Sequence, residues 1–189
     1  MSSYIKQIQT MLKEKGFYKG DVDGVIGSMT TQAVCQALAD GKIINITKNI
    51  TLNELLASQT AARHKIDNMP DAKVLSNLIE SAVNLWQPAR DILGSPILIT
   101  SGYRSPVLNK RIGGAKNSAH QFGFAIDFSC PNFGSTRKVV QYLTAEFKKR
   151  GIKFDQIILE YPKSPNSWVH LGYKHSSGVQ RGQGFTIGA

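Results

Sequence analysis

FDQIILEYPKSPNSWVHLGY, residues 154–173, consists of two short apolar runs around a loop that holds two prolines. Phe154 to Tyr161 and Trp168 to Tyr173 are rich in branched and aromatic residues, and the short loop between them predicts a hairpin. Side chains alternate along a strand. That places Gln156, Ile158 and Glu160 on one face of the first strand, and Trp168, His170 and Gly172 on one face of the second. Upstream, SAHQFGFAIDF (118–128) ends in another alternating run. Ala125 and Asp127 share one face there, with Phe124, Ile126 and Phe128 on the other. Ile97 to Thr100 predicts a short buried strand.

Helical patterns surround these strands. Ser135 to Arg150 carries Val139, Val140, Leu143 and Phe147 at helical spacing and stops at Gly151. Met69-Pro70-Asp71 opens a long helix with Leu75, Leu78, Ala82 and Leu85 in register. Pro88 should kink or shorten it and Gly94 should end it. Thr51 to Ala62 reads as helical, and residues 41–50 as a β-prone connector. Helices gathered before and between antiparallel strands predict an α+β fold.

The first forty residues have a different character. Ile5, Ile8 and Leu12 mark one helix, with Gly16 as its stop, and Ala33, Val34, Ala37 and Leu38 mark a second, capped by Ser28 or Thr30. Gly20 to Gly27 between them is turn chemistry. Asp21 and Asp23 do not open a calcium loop, because Val25 and Gln32 stand where oxygen ligands are needed. A division follows: a small all-α domain over 1–47, and a domain with an antiparallel sheet flanked by helices over 48–189.

The 189 residues carry 23 basic and 13 acidic groups, a formal charge of +10. Such a balance favours polyanionic partners, whether nucleic acid, anionic membrane or an acidic wall polymer. Arg104 to Lys116 and Arg137 to Lys153 are the dense stretches. No nucleic-acid-binding motif accompanies the charge. No apolar run is long enough to span a bilayer. MSSYIKQIQTMLKEKG interleaves lysines with apolar residues and forms no signal-peptide core, so synthesis in the cytoplasm is expected. Cys35 and Cys130 are 95 positions apart and belong to no CxxC motif. They read as two reduced, partly buried thiols.

A catalytic zinc ion needs three protein ligands and one open position. Four histidines exist, at 64, 120, 170 and 175. His64 and His175 sit in polar surroundings and read as surface residues. His120 and Asp127 lie seven apart around Gly123, and His170 lies mid-strand with Glu160 on the neighbouring strand. These are the makings of a zinc site, although by spacing alone a strand histidine is more often a hydrogen-bonded interior residue than a ligand.

SGYRS (101–105), the S-x-H-x-x-G-x-A-x-D pattern of 118–127 and WVHLGY (168–173), in that order, resemble the zinc D-Ala-D-Ala carboxypeptidase and endopeptidase family, whose metal arrangement recurs in the hedgehog signalling domain. The lead-in TLNELLASQTAARHKIDNMP resembles the start of one branch of these peptidases, so the likeness covers about residues 48–175. It implies that His120, Asp127 and His170 ligate Zn2+ and that Arg104 binds substrate. Some branches carry the catalytic acid/base three residues before the last histidine. Here that position is Ser167, which cannot act as a base, and Glu160 matches the alternative placement at the end of the preceding strand. Ser118 receives no role. IKQIQTMLKEKGFY followed by DGVIGSMTTQAV resembles the small helical peptidoglycan-binding domain attached to many wall hydrolases.

The resemblance implies a zinc peptidase that cuts the stem or cross-link peptide of peptidoglycan while its N-terminal module holds the wall, and a monomer is expected. With no signal peptide, the expected setting is a phage endolysin that reaches the wall or periplasm after membrane permeabilisation. The alternatives are a bacterial wall-remodelling D-Ala-D-Ala carboxypeptidase and a non-catalytic wall-binding protein. Nucleic acid is not an expected partner.

Overall fold

In a computed structural model, which describes residues 1–188, fifteen elements build two helical regions around one sheet. The sheet has five strands in the order β1-β2-β4-β3-β5: β1 Leu98–Ser101, β2 Ala125–Ser129, β3 Gln156–Glu160, β4 Trp168–Gly172 and β5 Gln183–Ile187. The hairpin forms as expected, with Ile158 opposite His170 and Glu160 opposite Trp168. β2 pairs with the other side of β4 and puts Asp127 opposite His170. The fold is α+β.

Three expectations need correction. β1 is half-exposed rather than buried, with Leu98 54% exposed, because it is an edge strand. Thr51 to Ala62 breaks into α3 (Leu52–Leu56) and α4 (Gln59–His64). Ala57 is extended, and the Ser58 side chain caps α4 on the Ala61 N–H. The helix α2 (Ser28–Ala39) starts after Gly27 with no side-chain cap. Thr30 is instead buried, accepting from Gln9 Nε2 at 3.2 Å.

The periodicity also missed β5, which runs parallel to β3 and makes the sheet mixed. GQGFTIG has three glycines in seven residues and little apolar alternation. Tertiary contacts hold it in place. Arg181 donates from Nε and a terminal nitrogen to the two oxygens of Asp155, at 2.6 and 2.7 Å. Gly182 and Gln183 donate to the carbonyls of Phe154 and Asp155.

One face of the sheet is closed. Ile126, Phe128, Ile157, Leu159, Val169 and Leu171 are at most 3% exposed there. All of these but Leu159 share one core with Val139, Leu143 and Phe147 of α8 (Thr136–Arg150) and with the long helix of α5 (Ala72–Ser81) and α6 (Gln87–Leu93). The expected effect of Pro88 takes the form of a π turn over Ala82–Trp86. Proline lacks the N–H and crowds the carbonyl four residues back, and a widened turn accommodates both without ending the helix. Trp86 lies in that turn, fully buried, and its indole N–H reaches the Leu171 carbonyl at 3.3 Å.

The N-terminal helices α1 (Ser2–Glu14) and α2 share a continuous apolar core with the rest of the chain. The connector is ordered: a β-bridge joins Asn45 to Thr51, and Leu52 N–H donates to the Ile44 carbonyl. The boundary expected at 47/48 falls inside this bridge.

Asp155 is 1% exposed and depends on Arg181 for its compensation. Removing one partner of a buried pair strands the other charge. Arg181→Ala is therefore expected to destabilise the fold by on the order of 3 kcal/mol in urea unfolding at neutral pH.

Candidate active site

The open face of the sheet gathers the polar residues. Asp127 and His170 face one another across β2 and β4 because alternation places both on this side. His120 arrives from a short 3-10 turn, Ala119–Phe122, that ends at Gly123. Gly123 has φ +72°, and a Cβ there would lie 3.0 Å from Leu78 Cγ and the Val74 carbonyl. A residue with a side chain would push the turn off α5 and carry His120 with it.

Three donor atoms converge. His120 Nε2 is 3.2 Å from Asp127 Oδ1 and 3.3 Å from His170 Nδ1, and His170 Nδ1 is 2.9 Å from the same carboxylate oxygen. All three residues are buried. His120 Nδ1 lies 2.7 Å from the Gly102 carbonyl. A carbonyl only accepts, so Nδ1 holds the proton and Nε2 turns its lone pair to the cluster. Burial lowers the His120 pKa, partly opposed by Asp127, and keeps the ring neutral. Burial also pushes the Asp127 carboxyl up, but its polar surroundings more than offset this and hold it well below the usual carboxylate range, with the Arg104 guanidinium as its fixed cationic partner. A neutral imidazole lone pair therefore faces an ionised carboxylate oxygen.

Acceptor against acceptor is repulsive unless a cation lies between them. Two imidazole nitrogens and a carboxylate are a donor set for a divalent transition metal, and zinc bonds of about 2.0–2.1 Å separate tetrahedral ligand atoms by roughly 3.3 Å. The cluster fits such an ion. A backbone carbonyl on the far nitrogen of a ligating histidine is the usual orienting partner.

Arg104 lies against this cluster. It donates to Asp127 Oδ2, and its Nε donates to Ser101 Oγ at 2.8 Å. Ser101 is opposite Asp127, past a register shift in β1. The residue expected to bind substrate thus also fixes the second oxygen of Asp127. Glu160 ends β3 on the same open face, half-buried, and its carboxylate has no hydrogen-bond partner among the described residues. Burial raises its pKa, reinforced by the charge of Asp127. Ser167 donates to the Glu160 carbonyl at 2.9 Å, a structural contact in keeping with its unsuitability as a base. Cavities of about 630 and 540 Å³ border the site, one lined by Ser101 and Arg104 and the other by Ser167 and Trp168.

The profile described as Peptidase M15 matches residues 48–171, well over half of the chain. The chain belongs to the Peptidase M15 family. A second profile, described as a putative peptidoglycan binding domain, matches residues 2–37. No curated protein matches the chain. A peptidase domain joined to a peptidoglycan-binding domain supports peptidoglycan as the partner of this M15 peptidase.

His64 is exposed on α4 beside Arg111, and His175 is half-buried and contacts Ser177; neither approaches the cluster. Cys35 and Cys130 are free thiols, with Cys130 buried. No helix among the described residues is long and apolar enough to cross a membrane. The Gly102 carbonyl could not be found by motif reading, since a backbone atom has no residue signature. Its spatial signal is a missing side chain: a Cβ on Gly102 would lie 2.3 Å from the Leu55 carbonyl oxygen. Gly102→Ala must displace α3 or the loop holding His120. It is expected to cost about 1–3 kcal/mol, as overpacking does, read by urea unfolding, with weakened metal retention in the same preparation.

Proposed function

We propose that this M15 peptidase is a zinc-dependent hydrolase of the stem or cross-link peptide of bacterial peptidoglycan, with His120, Asp127 and His170 as zinc ligands and Glu160 as acid/base. The observation that carries the reading is the buried His120–Asp127–His170 convergence with an unpartnered carboxylate on the adjacent strand. When bound, zinc supplies Lewis acidity toward a carbonyl oxygen and makes water nucleophilic near neutral pH.

The protein groups divide the remaining work. Glu160, half-buried and unpaired, takes the proton of the attacking water and passes it to the leaving amine nitrogen as the C–N bond breaks. Arg104 keeps one terminal nitrogen without a partner among the described residues, enough to steady a developing oxyanion or hold a substrate carboxylate. Residues 1–47 would hold the wall and raise the effective concentration of the catalytic residues 48–189 at it. A phage endolysin acting in host lysis is the setting we propose, with the enzyme made in the host cytoplasm.

Two measurements test this reading. One zinc per chain should copurify, and its removal by a chelator should abolish hydrolysis of purified peptidoglycan until zinc is restored. Stoichiometric metal in a His120→Ala/His170→Ala double variant would refute the ligand set. Glu160→Gln should keep fold and zinc and lose about 10²–10⁴ in rate, and a loss below threefold would move the base elsewhere.

A further inference from the structure

β5 lies outside the matched Peptidase M15 region, yet it extends the open face of the sheet on the Glu160 side. Its parallel register sets Phe185 beside Ile158 and Ile187 beside Glu160. The intervening Gly184 turns the other way, since a Cβ there would meet Ile157 of the closed face at 3.6 Å. Phe185 and Ile187 thus stand on the same face as the metal cluster. Each is 41% exposed. No charged residue occurs between Gly182 and Gly188.

A second feature joins this strip. Tyr161, immediately after Glu160, has φ +49°, a left-handed conformation that residues with a side chain seldom adopt. It is held there by its N–H on the Ile187 carbonyl at 2.8 Å. Its ring lies between Trp168, with centroids 5.2 Å apart, and Gly188, where a Cβ would lie within 2.4 Å of the ring. Tyr161 remains 45% exposed. Strain beside a reactive group, maintained by the surrounding backbone, is where a functional contact is to be sought. Tyr161, Ile187 and Phe185 form an apolar wall next to Glu160.

The opposite end of the face is polar and cationic, at Ser101 of β1 and Arg104 just after it. Four inter-strand gaps of about 4.8 Å separate β1 from β5, roughly 19 Å in all. At about 3.3–3.6 Å per extended residue, that width accommodates five or six residues of peptide. Building on the peptidase reading above, we infer that the Tyr161–Ile187–Phe185 wall is a subsite for the leaving-group side of an extended peptide, taking an aliphatic side chain beyond the scissile bond. The side follows from the chemistry: the base that protonates the leaving amine is on β3, so the amine and the residues behind it lie over β3 and β5. A subsite that engages residues beyond the one bearing the leaving amine favours an internal cut over removal of a single terminal residue.

The test uses the full chain and soluble muropeptides from purified peptidoglycan. In Phe185→Ser/Ile187→Ser, KM should rise at least tenfold with kcat, zinc content and melting temperature nearly unchanged. Phe185→Leu/Ile187→Val should restore most of the loss. Val179→Ser, at an exposed apolar position outside the strand, should change nothing. A folded, zinc-loaded serine double variant with KM within twofold of the parent would overturn the subsite, as would one that only abolished self-association in sedimentation. Failure of the parent chain itself to cut muropeptide would refute the peptidase reading and the subsite with it, which separates the two failures. Release of single terminal residues alone would refute the internal cut.

Discussion

Asp127 is an ionised carboxylate in a place that excludes most water, and the architecture of the site follows from meeting that cost. Burial pushes its carboxyl up. The Arg104 guanidinium opposes this and two imidazoles flank the carboxylate, each from a different part of the chain: His120 from the 3-10 turn, His170 from β4, Arg104 from the loop after β1. A buried charge keeps its stability only with good geometry from every partner. The partners are therefore fixed in turn. Gly102 holds His120 by its carbonyl, Ser101 holds Arg104, and the β2–β4 register leaves His170 nowhere else to be. A cluster so constrained is preorganised for a cation, because the lone pairs are already turned inward.

The sheet separates stability from chemistry. Its closed face contributes the apolar core, anchored through Trp86 and α8, so the open face can carry polar groups that would be costly inside. Polarity also changes across the open face, from Arg104 at the β1 end to the apolar side chains of β5. The N-terminal helices share the closed-face core instead of hanging from a free linker, which fixes where a wall-bound module would present the open face.

The hairpin, β2 and α8 could be read from residues alone because each has a local cause, whereas the metal-ligand set came only with the family resemblance. Alternation put Asp127, His170 and Glu160 on the proper faces, and Ser135 and Asp71 cap the helices their patterns open. What could not be read has causes distant in sequence or carried by backbone. β5 has almost no strand character of its own and exists because Arg181 is drawn to Asp155, 26 residues away. The break between α3 and α4 turns on Ser58 competing as a cap inside an otherwise helical run. The second contact of Arg104, as ion-pair partner of the Asp127 carboxylate, depends on a register shift in β1 that no motif encodes.

If the His120–Asp127–His170 face hydrolyses a peptide bond of peptidoglycan, digestion of purified sacculi in water enriched in ¹⁸O, followed by mass spectrometry of the released fragments, should give intact glycan strands, one new amine per cut, and a single ¹⁸O in each newly formed carboxylate, all lost on chelation. Cleaved glycosidic bonds, or peptide release that survives removal of the metal, would contradict that reading.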